Sequence, residues 1–131
     1  MTGLVLDSNA LTRWAAHDLG ILAHLEAVQR AGGAAYVPTV CLVESLTGAA
    51  TDAPLRRLLK GARTVKLDAA LAGMAARLRD ATDGDDVADP VVVATAAALG
   101  AVALSSDPDI TVLAAHAEPP VAVVDPRGWE A

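Results

Sequence analysis

Short apolar or β-branched runs alternate along the chain with longer stretches in which apolar positions recur every three or four residues. The first pattern reads as buried strand and the second as amphipathic helix. Strands are predicted at 4–6, 35–37, 64–66, 102–104 and 121–124. Between them the spacing predicts helices over 9–16 and 18–30, the second carrying Leu19, Leu22, Leu25 and Val28 on one face and stopping at Gly32-Gly33. Further helices are expected over 40–48 with Thr39 as N-cap, over 52–60 with Pro54 in the first turn, and over 68–81 with Asp68 as cap. One running from Asp89 to Leu99 is nearly all Val and Ala, ends at Gly100, and is expected to pack in the centre of the molecule. Strands alternating with helices point to an α/β fold with a central parallel sheet of four to five strands.

Composition narrows this picture. At 131 residues the chain suits one domain. Hydrophobic residues make up 53% and mean hydropathy is +0.40, yet thirty residues are alanine and no run approaches the roughly 18 apolar residues of a membrane span. The opening MTGLVLD lacks a basic stretch followed by an apolar core, so no secretory signal is expected and the protein is expected to be cytoplasmic. Cys41 is alone and sits among apolar neighbours, which reads as buried filler rather than a nucleophile. No repeat or linker is visible, and 125–131 reads as a short surface end.

The net charge of −6 argues at first against a nucleic-acid partner. Its distribution softens that, because seven of the ten basic residues (Arg56, Arg57, Lys60, Arg63, Lys66, Arg77 and Arg79) fall within 24 positions, whereas four acids crowd 83–89. An acidic pocket beside a basic shoulder and a merely solvated helix face both fit.

Four acids carry the candidate chemistry. Asp7 follows the first strand, where open α/β sheets bind ligands, although capping the next helix explains it as well. Glu44 lies in the apolar segment Val40 to Leu46, where burial would cost several kcal/mol without a partner; a solvent-facing side or an Arg partner are the alternatives. Asp89 opens a helix and Asp107 follows the next strand, and each has a local reading as an N-cap. The start of that helix and the end of the strand after it are expected at opposite ends of their unit, so this pair is not expected to meet by local sequence alone. There is no Walker-type glycine loop and no paired Cys/His set. His17, His24 and His116 fit no motif, and Ser45, Ser105 and Ser106 lack a His-containing pattern. Hard carboxylate oxygens without His or Cys suit Mg²⁺ or Mn²⁺, ions that promote phosphodiester hydrolysis.

Taken in order, Val5-Leu6-Asp7-Ser8-Asn9-Ala10-Leu11, Val37-Pro38-Thr39-Val40 leading to Glu44, Asp86-Val87-Ala88-Asp89 and Ser105-Ser106-Asp107-Pro108-Asp109 resemble the PIN-domain family, and within it the VapC-type ribonuclease toxins of toxin–antitoxin pairs. The resemblance spans Leu4 to about Val124. It implies a three-layer α/β/α domain in which Asp7, Glu44, Asp89 and Asp107 converge on one or two Mg²⁺ or Mn²⁺ ions. Asp7 and Asp89 are implied as metal ligands, Glu44 as ligand or water-orienting base, and Asp107 as a second-site ligand. Ser8, Asn9 and Ser105 match polar positions supporting the pocket, joined by Asp86 and Asp109, with Arg13, Arg56, Arg57 and Lys60 as candidate RNA contacts. The implied partners are an RNA substrate, a small antitoxin and a second copy of the chain, for which Leu11, Trp14, Leu19 and Leu22 offer either a dimer face or core packing. Ser105 stands where look-alikes often carry Thr, and Pro90 replaces their usual small residue. Trp14, Tyr36 and Trp129 leave few platforms for stacking bases.

The leading expectation is a metal-dependent endoribonuclease toxin, leaving a 5′-phosphate and a 3′-hydroxyl. The alternatives are a catalytically silent PIN-like protein-binding module, and a phosphotransfer domain, which would need an acid where Asn9 stands or a Lys later than Lys66.

Overall fold

The computed structural model describes residues 3–127. In chain order it forms β1 (Leu4–Leu6), α1 (Ser8–Ala15), α2 (Leu19–Arg30), β2 (Ala35–Pro38), α3 (Thr39–Ser45) and a 3₁₀ turn (Ala50–Asp52). There follow α4 (Ala53–Leu59), β3 (Arg63–Val65), α5 (Ala69–Ala81), α6 (Ala88–Leu99), β4 (Val102–Leu104), α7 (Pro108–His116) and β5 (Val123–Val124). The sheet order is β3-β2-β1-β4-β5, and every neighbouring pair is parallel. Leu4 is in register with Ala35 on one side and Val102 on the other. The inner strands β1, β2 and β4 are apolar and largely buried, as a helix-covered parallel sheet requires, whereas the edge strand β3 is mostly exposed.

The pleat divides the core in two. Leu4, Leu6, Val37 and Leu104 pack with residues of α1, α2 and α4, while Val5 and Ala103 pack with residues of α5, α6 and α7. The result is the expected three-layer α/β/α arrangement. The Val/Ala-rich α6 lies across the middle of the sheet with Val92, Val93 and Ala94 wholly enclosed, and Gly100 ends it in the left-handed conformation at φ 62°.

Aspartates start the helices. Asp7, Asp18 and Asp68 accept from backbone N–H groups three residues on, at 2.7, 3.1 and 2.8 Å, satisfying donors that a helix start leaves orphaned. Several boundaries differ from the sequence pattern. Thr39 is the first residue of α3 rather than its cap; Pro38 holds the cap position and makes no side-chain bond. α3 stops at Ser45, because Leu46 turns extended at ψ 136°. The loop after it is drawn around Asp52, whose buried carboxylate accepts from the Thr47 N–H and hydroxyl and the Gly48 N–H.

Of the two readings left open for the first two helices, core packing holds for Leu11 and Trp14, which are 0% and 7% exposed, and Leu22 packs against the same cluster; of the four, Leu19 stands out, at 76%. The reading of 125–131 as surface is corrected at Pro126, which is fully buried, and a Cβ at Gly20 would collide with its carbonyl oxygen. Positions 128–131, with Trp129, lie outside the described residues. Among the described residues, no helix is long and apolar enough to cross a membrane.

Candidate functional site

Chain connections leave β1 and β4 in opposite directions: from β1 the chain winds to β2 and β3, and it then crosses back to β4 and β5. That makes the β1/β4 boundary a topological switch point, with a crevice outside the C-terminal strand ends. Asp7 leaves β1 and Ser105 leaves β4 at this crevice. The expected separation of Asp89 from Asp107 is corrected here. α6 runs antiparallel to the strands and β4 returns parallel to them, so the helix start and the strand end meet at the same sheet edge. Asp89 and Asp107 thus face one another, with Asp109 beside them: one oxygen from each of the three lies within 4.8 Å of the others.

Ser105, 2% exposed, ties Asp7 into this group. Its hydroxyl donates to Asp7 Oδ2 at 2.5 Å and accepts from the Asp107 N–H at 3.0 Å, so the hydroxyl expected to support the pocket links two of its acids. Asp7 is therefore both cap and site residue. Oδ1 caps α1 while Oδ2 faces Ser105, and an ionised carboxylate retains further acceptor sites after two such bonds. Asp107 likewise accepts from the Asp109 N–H at 2.9 Å and caps α7. The N-termini of α1, α6 and α7 converge on the cluster, and their partial positive charge offsets some of its repulsion.

Burial pushes the Asp7 carboxyl above its ordinary value against the hydrogen bonds it accepts, and the charge of Asp107 adds to the rise. Burial, then the Asp86 carboxyl, then the charges of Asp107 and Asp7 push Asp89 up to about 8. Burial also works against ionising Asp86, but hydrogen bonds from Asp89 and from the Val87 and Ala88 backbone outweigh it and leave Asp86 below the usual carboxylate range. Asp86 further organises the start of α6 by accepting from the Val87 and Asp89 N–H groups, at 2.8 and 3.2 Å, so Asp86 rather than Asp89 supplies the capping oxygen.

Glu44 stands apart. It is exposed on α3, which corrects the expectation that an acid in so apolar a segment is buried. Its charge still reaches Cys41, whose thiol is pushed up to about 12 by burial and then by Glu44, Asp7 and Asp89. The wholly buried Cys41 thus lies beneath three of the four predicted acids and is the inert filler expected. Ser8 opens α1, half-buried, and Asn9 is exposed beside it. Arg13 is engaged by Asp18 at 3.0 Å. Arg56, Arg57 and Lys60 are exposed on or just after α4, which packs in the layer opposite α6 and α7; the cavity beside the acids is lined by none of these cations, and its one basic residue is Arg79.

The tightest acid group thus contains Asp109, which the sequence placed only in support. Its signal was the spacing Asp107-Pro108-Asp109, which puts two carboxylates on one helix start. The donor set fits a hard divalent cation. It is all oxygen, and none of the ion pairs among the described residues involves Asp7, Asp89, Asp107 or Asp109.

A model of the PIN domain family matches residues 4–116. The chain belongs to the PIN-domain family. Among solved structures, this PIN domain is similar to VapBC2 from Rickettsia felis bound to a promoter DNA fragment, at TM-score 0.75 and 13% identity, covering 92% of this chain and 96% of that one. It is similar to a toxin–antitoxin complex from Klebsiella pneumoniae at TM-score 0.70 and 18% identity, covering 95% and 98%. FitAcB from Neisseria gonorrhoeae follows at TM-score 0.68 and 17% identity, covering 98% and 99%. At these identities the likeness is one of fold. No curated protein sequence matches this PIN domain.

Proposed function

We propose that this PIN domain is a Mg²⁺- or Mn²⁺-dependent endoribonuclease acting in the cytoplasm as the toxin of a toxin–antitoxin pair. The observation that carries the reading is the meeting of Asp89, Asp107 and Asp109 at the switch point, with Asp7 held to the same group through Ser105. PIN domains are generally nucleases, and the similar folds come from toxin–antitoxin complexes. Asp89, Asp107 and Asp109 would hold the ion, with Asp7 held to the same group through Ser105. When bound, it supplies charge neutralisation at the scissile phosphodiester and lowers the pKa of a water. The chain's own part is to keep the carboxylates oriented: Ser105 fixes Asp7 and the turn into Asp107, while Asp86 fixes the start of α6. Glu44, exposed on α3, is the remaining candidate to orient water or to complete the ligand set. A small antitoxin and a second copy of the chain are the proposed partners.

The test is cleavage of an RNA oligonucleotide by purified protein. Cleavage with Mg²⁺ or Mn²⁺ that stops in EDTA and leaves 5′-phosphate and 3′-hydroxyl ends supports the proposal. Mn²⁺ binding without cleavage of any RNA would favour a silent protein-binding module instead.

A further inference from the structure

Beside the acid group lie two neighbouring cavities whose remaining walls the proposed catalytic set does not use. The first, of about 210 Å³, joins the acid group directly: Asp89 and Asp109 line it together with Thr82, Val112 and Leu113. The second, of about 190 Å³, is walled by Leu67, Ala72, Ala75, Val87 and Val91. The two share Arg79, Asp86 and Pro90, so the Arg79 side chain stands at the waist between them. Each is far below the volume of a drug-sized pocket and suits one small planar group.

Leu67, Val87 and Val112, three of the six large hydrophobic side chains left exposed among the described residues, line these cavities. Apolar side chains left in water beside a polar site mark a binding surface. Among the described residues, the half-buried Arg79 pairs with the exposed carboxylate of its chain neighbour Asp80, at 3.3 Å. Such a surface pair is worth little and yields readily to a better anion. A polynucleotide whose scissile phosphate sits on the acids must continue away from them, and the first cavity opens directly from the acid group.

We propose that these cavities are a two-nucleotide subsite for the RNA strand beside the cleaved bond. Arg79 takes the phosphate between the two nucleotides, and the Pro90–Val112 and Leu67–Val87 walls take the flanking bases. Arg79 is here a positioning residue, and the assignment rests on the ribonuclease reading. A guanidinium matches a phosphate in a fork that a lysine does not reproduce, and aliphatic walls accept any base face, so the subsite orders the strand with little sequence preference.

The experiment uses a fluorescein-labelled RNA decamer, with cleavage in Mn²⁺ and binding followed by anisotropy in the Asp7→Asn background. Arg79→Ala should raise KM about tenfold with kcat within twofold, and weaken binding by the same factor. Arg79→Lys should fall between. The slope of log affinity against log salt should become shallower by about 0.7, the share of one phosphate contact on a single strand; a purely structural role for Arg79 would leave that slope unchanged. Val112→Asp, at an exposed position, should weaken binding without lowering the melting temperature. Cleavage with KM, affinity and salt slope unaltered in Arg79→Ala overturns the subsite while leaving the ribonuclease reading intact, and assigns these cavities to a protein partner or to none. Arg79-dependent RNA binding without cleavage keeps the subsite and overturns the ribonuclease reading.

Discussion

The Ser105 hydroxyl at the end of β4 donates to the Asp7 carboxylate at the end of β1, joining residues 98 positions apart across the switch point of the sheet. The same oxygen accepts from the Asp107 N–H, so one buried hydroxyl holds two acids from different strands in fixed relation.

Ser105→Ala should therefore destabilise the protein by about 1–3 kcal/mol, the usual cost of leaving buried polar groups unpartnered. It should also weaken Mn²⁺ binding about 10–100-fold, as loss of a group that orients ligands does. Ser105→Thr keeps the hydroxyl and should restore most of both. Urea unfolding and Mn²⁺ titration calorimetry read the two effects, and Ala matching the wild type in each would remove Ser105 from the site.

Glu44 calls for the opposite pattern. Because it is exposed, Glu44→Gln should change folding stability by no more than about 0.5 kcal/mol, while RNA cleavage falls at least tenfold if this acid orients water or binds metal. Cleavage equal to wild type would make it a solvated surface acid.

Asp52 contributes to stability on the acid side. The Thr47 N–H, the Thr47 hydroxyl and the Gly48 N–H hold its carboxyl below the ordinary value, outweighing its burial. A carboxyl whose folded pKa is depressed contributes stability above its unfolded pKa, near 4, and loses it as pH falls through the folded value. Asp52→Asn should lower stability at neutral pH and flatten the fall between about pH 5 and pH 2, measured by melting temperature across that range. An acid limb as steep as the wild type's would contradict the assignment.

At the far side of the fold, Gly20→Ala should cost about 1–3 kcal/mol, as overpacking does, because a Cβ there meets the backbone of Pro126. An unaltered urea midpoint would show that the segment around Pro126 yields freely.

Legibility in the sequence followed the range of the forces involved. The strands at 4–6 and 102–104, the cap Asp68 and the stop at Gly100 are set by neighbours in the chain and are readable there. Asp7 was left open between cap and site residue because one carboxylate has two oxygens, and only the approach of β4 shows what the second one does. The meeting of Asp89 with Asp107 depends on α6 doubling back along β4, a relation between elements rather than between neighbouring residues. The solvent-facing alternative for Glu44 holds because its flanking apolar residues are divided between the two cores, Val40 and Cys41 on one side and Leu42 and Leu46 on the other, which leaves Val43 and Glu44 in solvent. Asp52 escaped notice because its partners lie in an irregular loop without periodicity.

The central claim is that converged carboxylates make this PIN domain a metal-dependent ribonuclease. The most direct measurement compares RNA cleavage by the wild type and Asp7→Asn at saturating Mn²⁺. Asparagine still caps α1, so the fold is preserved while the carboxylate charge is lost. The account predicts a rate at least about 100-fold lower in Asp7→Asn, with an unchanged circular dichroism spectrum; undiminished cleavage by Asp7→Asn would contradict it.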